Sequence, residues 1–242
     1  DLKMHDDEIF KGIDCIIHLA ALGSVPRSIN NPTNTNQSNI SGFLNILDFA
    51  RRSKIKQFIY ASSSSVYGDD KNLPKVEGII GKPLSPYALT KQVNEMYAKV
   101  FNDVYGYSTT GLRFFNVFGP RQNPDGDYAA VIPRWLKAMK NNDYIYIHGD
   151  GKTTRDFCYI ENVIEIILSA VSVTLNGSNV FNVAVGEQTS LEEIANFMKK
   201  EILSYGTDYK KDFQYVDFRK GDVKDSLADI SQAQHLLGYN PK

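Results

Sequence analysis

The chain has 242 residues, 42% of them hydrophobic and 23% charged, with a formal net charge of −1. This composition is ordinary for a globular protein, and the balanced charge excludes a general electrostatic attraction to nucleic acid or to an anionic membrane surface. No apolar stretch reaches the length of a membrane span. Cys15 and Cys158 lie in apolar surroundings and predict buried thiols of a reducing compartment, and their spacing with the four histidines predicts no metal site.

The first structured element is predicted at residues 13–21, which read Ile-Asp-Cys-Ile-Ile-His-Leu-Ala-Ala. Such an apolar run is typical of a buried parallel strand. Small residues at its carboxyl end allow a ligand to approach, at the place where open α/β sheets bind ligands. Simple helix–strand packing explains the same residues equally well. Residues 23–28 are predicted to form a loop, and a polar stretch over 34–39 leads into a helix that ends near Arg52.

A second strand is predicted at residues 56–62, and a run of four serines overlaps its end. After a polar loop, a helix is predicted from Tyr87 to Asn102. The four-residue spacing of Tyr87 and Lys91 places both side chains on one helix face. An ammonium beside the phenol would lower the pKa of Tyr87 and make it a candidate general base. The pattern Y-x-x-x-K is common by chance, and an exposed lysine on an amphipathic helix is the alternative.

The second half of the chain alternates between strand and helix patterns. Strands are predicted at 108–115, 144–148, 179–184 and 213–218, and helices at 128–140, 162–173, from Ser190 onward and at 231–237. Ser190 and Glu193 form a capping box, and Gly238 is a helix stop. The alternation predicts an α/β fold with a doubly wound parallel sheet and a smaller lobe after Pro120.

The order of these parts resembles the extended short-chain dehydrogenase/reductase family of NAD-dependent epimerases and dehydratases. The resemblance rests on the serine run with Val-Tyr-Gly (66–68), Ser-Pro-Tyr (85–87) with Lys91, Arg-Phe-Phe-Asn (113–116) with Gly-Pro, Arg-Asp-Phe (155–157), and Arg-Lys-Gly-Asp (219–222). It implies a Rossmann-like sheet in a dinucleotide-binding domain over 1–120, and a smaller α+β substrate lobe mainly over 121–242, with segments near 155–187 returning to the sheet. The family begins with a strand, a glycine-rich turn and a helix that hold the cofactor pyrophosphate. Because no such turn is found, we expect the sheet to be incomplete in its amino-terminal half, with about two βα units absent and a shorter carboxyl-terminal piece missing.

The resemblance also implies the site residues. The catalytic residues are Ser63, Tyr87 and Lys91, and Ser64 is the alternative to Ser63 because four consecutive serines blur the register. The NAD contacts are Leu19, Ala20, Ala21, Asn39, Tyr87, Lys91 and Val117; Asn39 has the alternative role of satisfying backbone groups. The substrate contacts are Ser24, Ser64, Asn116, Val131, Trp135, Tyr146, His148, Arg155, Arg219 and Asp222. A guanidinium suits the diphosphate, although an Arg-Asp pair is more often a surface ion pair.

The reaction shared by the family is oxidation at C4 of a nucleotide-bound sugar. Related dehydratases carry an Asp-Glu pair where this chain has Ser64 and Ser65, so elimination lacks its base and epimerisation is expected. The segments 23–28, 61–68 and 128–133 are most similar to UDP-N-acetylglucosamine 4-epimerases of polysaccharide synthesis. UDP-glucuronate 4-epimerases, which tend to have threonine in place of Asn116, are the alternative, and an inactive truncated remnant is the third. The resemblance further implies a cytoplasmic homodimer, formed through helices near 36–52 and 87–102, with no nucleic-acid or membrane partner.

Overall fold

The computed structural model describes residues 10–125, 129–218 and 224–242. Its strands are β1 (Cys15–His18), β2 (Gln57–Ser63), β3 (Thr109–Phe114), β4 (Asn116–Phe118), β5 (Tyr146–His148), β6 (Thr154–Arg155), β7 (Phe157–Tyr159), β8 (Ser178–Val183), β9 (Thr189–Ser190) and β10 (Gln214–Val216). Its helices are α1 (Val25–Asn30), α2 (Pro32–Asn36), α3 (Gly42–Arg52), α4 (Pro86–Tyr105), α5 (Val131–Lys140), α6 (Ile160–Ser172), α7 (Leu191–Ser204) and α8 (Ser231–Leu237). None of the helices in the described ranges is both long and apolar enough to cross a membrane.

A parallel sheet in the order β1, β2, β3, β8 forms the centre of the molecule. Alternate residues of β2 face opposite sides of it. Phe58 and Tyr60 pack with α3 and α4, whereas Ile59 packs in a separate core with α6 and α8. Helices therefore cover both faces, which confirms the predicted doubly wound, Rossmann-like α/β class.

The strand predicted at residues 13–21 is shorter and less buried than expected. Within the described residues β1 pairs along one side only, with β2. Ile17 is 43% exposed and Leu19 50% exposed, because the second side of β1 receives no pairing strand from those residues. Cys15 is accordingly half-buried, whereas Cys158 is fully buried, and both are free thiols.

The loop predicted at residues 23–28 is wrong from Val25 onward. Ser24 caps α1, its hydroxyl accepting the Arg27 N–H, and Pro26 lies in the first turn. Asn31 caps α2 in the same way, and a π-helical turn over Gln37–Ser41 joins α2 to α3. Cap residues followed by proline favour helix starts, so a short helix begins inside the predicted loop and a second one follows it.

The smaller lobe has its own apolar core. Trp135 and Met139 of α5 pack against Ile147 of β5 and Ala195 of α7. The strand β5 pairs with β10, and β7 pairs with β4 directly after the central β3. The predicted capping box is confirmed at the start of α7, and α8 ends at Gly238, which has a positive φ of 66°. The lobe thus packs beside the carboxyl ends of the central strands.

Candidate active site

The start of α4 places the predicted catalytic pair. The Ser85 hydroxyl accepts the N–H of Ala88 at 3.1 Å, and Pro86 occupies the first helical position. Both features fix where the helix begins. Tyr87 therefore lies in the first turn, and Lys91 lies one turn later on the same face, with only 3% of its surface exposed. The alternative of an exposed surface lysine does not hold.

The serine run divides into distinct roles. Ser63 ends β2 and is buried; its hydroxyl donates to the Ser65 hydroxyl at 3.1 Å and accepts the Ser65 N–H at 3.2 Å, and its side chain also opposes the burial that raises the pKa of Tyr87. The Ser62 hydroxyl instead donates to Glu95. Ser64 begins a 3₁₀ turn and lines a cavity beside α4. Of these hydroxyls, the structure therefore brings that of Ser63 to Tyr87.

The electrostatics of this pair differ from the expectation. Burial raises the pKa of Tyr87, and the Ser63 side chain opposes that shift. The predicted lowering of the pKa by Lys91 is wrong for this structure, because the Lys91 ammonium donates to the backbone carbonyl of Ala61 at 2.7 Å. Burial lowers the pKa of Lys91 to about 8, with Glu95 opposing it. At pH 7 Tyr87 is a neutral phenol and Lys91 is largely charged.

The carboxyl end of β1 is held next to this pair. Asn39 binds the backbone of Leu22 twice: its Oδ1 accepts the Leu22 N–H at 2.7 Å, and its Nδ2 donates to the Leu22 carbonyl at 3.1 Å. It also donates to Thr90 of α4. Asn39 thus satisfies backbone groups, as the alternative role predicted. These groups are the N–H and carbonyl of Leu22, in a loop 17 residues away, and not those of its own helix. Leu19 and Ala20 are left exposed at this edge, and Ala21 is partly exposed.

Two adjoining cavities lie between the sheet and the smaller lobe. The larger, of about 240 Å³, is lined by residues that include Asn116, Val117, Phe118, Val131, Arg134, Trp135, Tyr146, His148, Arg155 and Phe157. The smaller, of about 160 Å³, is lined by residues that include Val25, Ser64, Ser65, Tyr67, Lys75, Ser85, Ala88, Asn116, Arg155, Asp225 and Ser226. Asn116 and Arg155 line both, so a ligand that spans the two cavities must pass these side chains.

The Arg155 guanidinium is fixed at this junction. Its Nη1 donates to the carbonyl of Thr154 at 2.8 Å and to that of Lys224 at 2.9 Å. The neighbouring Asp156 is fully buried, and its carboxylate accepts the backbone N–H groups of Val185, Gly186 and Ala228. The Arg-Asp pair is therefore not a surface ion pair: Asp156 anchors backbone while Arg155 faces the cavities.

The remaining predicted residues fall in different places. Ser24 caps α1, and its neighbour Val25 lines the smaller cavity. Arg219 and Asp222 lie outside the described residues. Sequence reasoning missed Tyr67, Lys75 and Asp225 of the smaller cavity and Phe118, Arg134 and Phe157 of the larger. Tyr67 and Phe157 belong to motifs noted in the sequence but were not assigned to the site, and the positions of the other four depend on packing between distant segments.

Comparison with known proteins agrees with this geometry. The model of the NAD dependent epimerase/dehydratase family matches residues 3–184. The chain belongs to this family. A Methanocaldococcus jannaschii relative is 37% identical over 240 residues, which are 98% of this chain and 75% of the relative.

Among solved structures of similar proteins, a UDP-N-acetylglucosamine 4-epimerase from Methanobrevibacter ruminantium, in complex with UDP-N-acetylmuramic acid, is 38% identical. Its TM-score is 0.91, over 99% of this chain and 75% of its own. A UDP-glucuronic acid 4-epimerase from Bacillus cereus, in complex with UDP-glucuronic acid and NAD, is 32% identical. Its TM-score is 0.88, over 100% of this chain and 74% of its own. The predicted enzyme family and its cofactor NAD are confirmed.

The residues beside the catalytic pair fit the nicotinamide half of NAD. An ammonium has three donor hydrogens, and among the described residues the Lys91 ammonium uses one, on Ala61. The exposed end of β1 lies at the sheet edge where such folds bind cofactors. Burial, with a smaller effect of Lys91, lowers the pKa of His18 to about 4. His18 is therefore uncharged at neutral pH. Lys91 and Tyr87 would hold the ribose hydroxyls, and Leu19 and Ala20 would lie along the cofactor.

Proposed function

We propose that the protein is a UDP-sugar 4-epimerase that interconverts UDP-N-acetylglucosamine and UDP-N-acetylgalactosamine. One observation carries the proposal: two cavities meet at Asn116 and Arg155, and the smaller is lined by Ser85 and Ala88, which flank Tyr87. A UDP-sugar has the matching division into nucleoside, diphosphate and sugar. With uridine in the larger cavity and the diphosphate at Arg155, the sugar reaches the catalytic pair.

NAD, held by Lys91 and Tyr87, would supply reversible hydride transfer at C4 of the sugar. The chain's own residues carry out the proton transfer. Tyr87 takes the proton of the C4 hydroxyl, and Ser63 hydrogen-bonds the same oxygen. Because Tyr87 is a neutral phenol in the ligand-free protein, the charge of Lys91 is needed to stabilise its phenolate. The keto sugar turns in the cavity, and Tyr87 returns the proton after reduction.

Epimerisation is favoured over dehydration by the wall of the smaller cavity. Ser64 and Ser65 stand where related dehydratases place carboxylates, and a hydroxyl is too weak a base for elimination. Asp225 is a carboxylate of this wall, but it accepts hydrogen bonds from the backbone and side chain of Thr154. These bonds hold it in a structural position.

The charges of the same cavity favour an N-acetylhexosamine over glucuronate. Lys75 is buried and paired with Asp70, which compensates its charge. Asp225 adds a negative group to the wall, and like charges at short range repel. Asp225 would therefore repel a glucuronate carboxylate in this cavity, whereas it would not repel a neutral sugar. Asn116, in place of the threonine common among glucuronate epimerases, supports the same choice.

We further propose a homodimer through α4 and the helices before it. Leu89, Met96, Val100 and Val104 recur along one face of α4, and all are exposed, Met96 by 66% and Val104 by 64%. An exposed apolar stripe of this kind favours burial against a second copy. Met96→Glu should convert dimer to monomer in sedimentation velocity, and an unchanged dimer would contradict this interface. A cytoplasmic location and a role in polysaccharide synthesis complete the proposal, the former supported by the two free thiols.

The test is turnover of UDP-N-acetylglucosamine by the protein as its gene encodes it, with product measured by chromatography and released NAD measured after denaturation. Tyr87→Phe should lose about a hundredfold or more in kcat. Tyr97→Phe is the matched control, because Tyr97 lies on the same helix but packs against the α3–α4 core. Bound NAD without epimerisation of any UDP-sugar would refute the proposal. An equal loss of kcat in Tyr87→Phe and Tyr97→Phe would also refute it.

A further inference from the structure

Glu95 has no part in the motif that identified α4, yet it lies at the centre of a buried polar cluster. It follows Tyr87 and Lys91 at the same four-residue spacing, and its side chain is 10% exposed. Its Oε1 accepts from the Ser62 hydroxyl and from Arg113 Nε at 2.9 Å, and its Oε2 accepts from Arg113 Nη2 at 2.7 Å. Two parallel bonds of this kind are the strongest geometry for a carboxylate and a guanidinium.

The register of the sheet explains the cluster. Ser62 and Arg113 are direct partners in the β2–β3 pairing, so their side chains leave the sheet side by side toward α4. Glu95 meets both. Arg113 also donates to the carbonyl of Glu77 and stacks its guanidinium on Tyr67, 4.9 Å from the ring centre. Tyr67 lines the smaller cavity, so the cluster extends from the catalytic helix to that wall.

Three successive residues of β2 are therefore held by three successive turns of α4. Lys91 binds the carbonyl of Ala61, Glu95 binds the hydroxyl of Ser62, and the Ser63 side chain interacts with Tyr87 and opposes the burial that raises its pKa. Glu95 is also ion-paired with Arg113, and buried ion pairs resist displacement because either charge alone is costly.

We propose that Glu95 is a positioning residue that locks the carboxyl end of β2 to α4, in the register that sets Ser63 at Tyr87 and Ala61 at Lys91. The inference rests on the proposed function, since it assigns Glu95 to the same reaction. The carboxylate also compensates the buried charge of Lys91. Among the described residues, the groups that interact electrostatically with Lys91 are His18 of β1 and Glu95 of α4; Tyr87 precedes Lys91 on the same helix face, and Arg113 of β3 is ion-paired with Glu95. Of these, Glu95 is the group that favours the charged ammonium.

The first readout needs no turnover: the pKa of Lys91, from the pH dependence of its acetylation measured by mass spectrometry. Glu95→Gln should lower that pKa by about one unit, because the buried ammonium then loses the carboxylate charge that favours its protonated form. The control is Ile166→Ala, a cavity in the fully buried core on the other face of the sheet. It should lower the melting temperature while leaving the pKa of Lys91 unchanged.

The second readout is steady-state kinetics. Glu95→Gln should lower kcat about tenfold to a hundredfold with little change in KM. Ser62→Ala keeps the charges of Glu95 and Arg113 and removes one hydrogen bond to Glu95. We expect about a threefold to tenfold loss in kcat with the pKa of Lys91 unchanged. This variant tests the proposal even if Glu95→Gln does not fold. Equal pKa shifts in Glu95→Gln and Ile166→Ala, or wild-type kcat in Ser62→Ala, would overturn the proposal. If the wild type epimerises no UDP-sugar but Glu95→Gln alone lowers the pKa of Lys91, the proposed function is refuted and the positioning role of Glu95 is retained.

Discussion

Replacing Arg155 by lysine tests whether the junction between the two cavities holds a diphosphate. The guanidinium is fixed by two carbonyl acceptors, those of Thr154 and Lys224, at 2.8 and 2.9 Å. Lysine keeps the charge but loses the planar fork and cannot hold that orientation while binding two phosphate oxygens. Loss of well-oriented, charge-assisted hydrogen bonds costs about 2–3 kcal/mol, which corresponds to about a 30- to 150-fold rise in KM.

The effect should fall on KM and not on kcat. The diphosphate is remote from C4, so its contacts stabilise the bound substrate and the transition state equally. The assay is steady-state epimerisation of UDP-N-acetylglucosamine, with Arg52→Lys as the control, because Arg52 is an exposed residue of α3 that pairs with Asp48. A lowered kcat at unchanged KM would refute this placement of the diphosphate, as would the same KM change in the control.

Three further outcomes follow from the site and the sheet. Ser63→Ala should lower kcat about tenfold to a hundredfold with little change in KM, because the pKa of Tyr87 rises further without the Ser63 hydroxyl; an unchanged kcat would assign the role to another serine. The rate should rise with pH up to about pH 8 as the phenolate fraction of Tyr87 grows, and should level off above it, because Lys91 then loses its charge as fast as Tyr87 loses its proton; a pH–rate profile that is flat from about pH 6 to about pH 8 would contradict this sign. Gly111→Ala should destabilise the fold by about 1–3 kcal/mol in urea denaturation, because a Cβ there would lie 2.6 Å from the fully buried Tyr60 ring; an unchanged unfolding midpoint would show that Tyr60 can move.

The sequence alone determined the features that depend on neighbours within one helical turn or along one strand. The apolar runs gave the four central strands, and the spacing of Tyr87 and Lys91 gave a shared face of α4. The cap of α7 at Ser190 and the stop of α8 at Gly238 follow from local hydrogen bonding and from a backbone conformation that glycine adopts freely. Each of these signals is contained in a few consecutive residues.

The tertiary structure decided what depends on distant segments. Asn39 reaches a loop 17 residues away, and Glu95 meets Ser62 and Arg113 only because the β2–β3 register sets those two side by side. No local pattern specifies that register. The direction of the Tyr87 pKa was also decided by packing, since the desolvation of a phenol depends on everything around it and outweighed the neighbouring lysine expected from spacing. Spacing along a helix places two groups on one face, but the surrounding fold sets their charge.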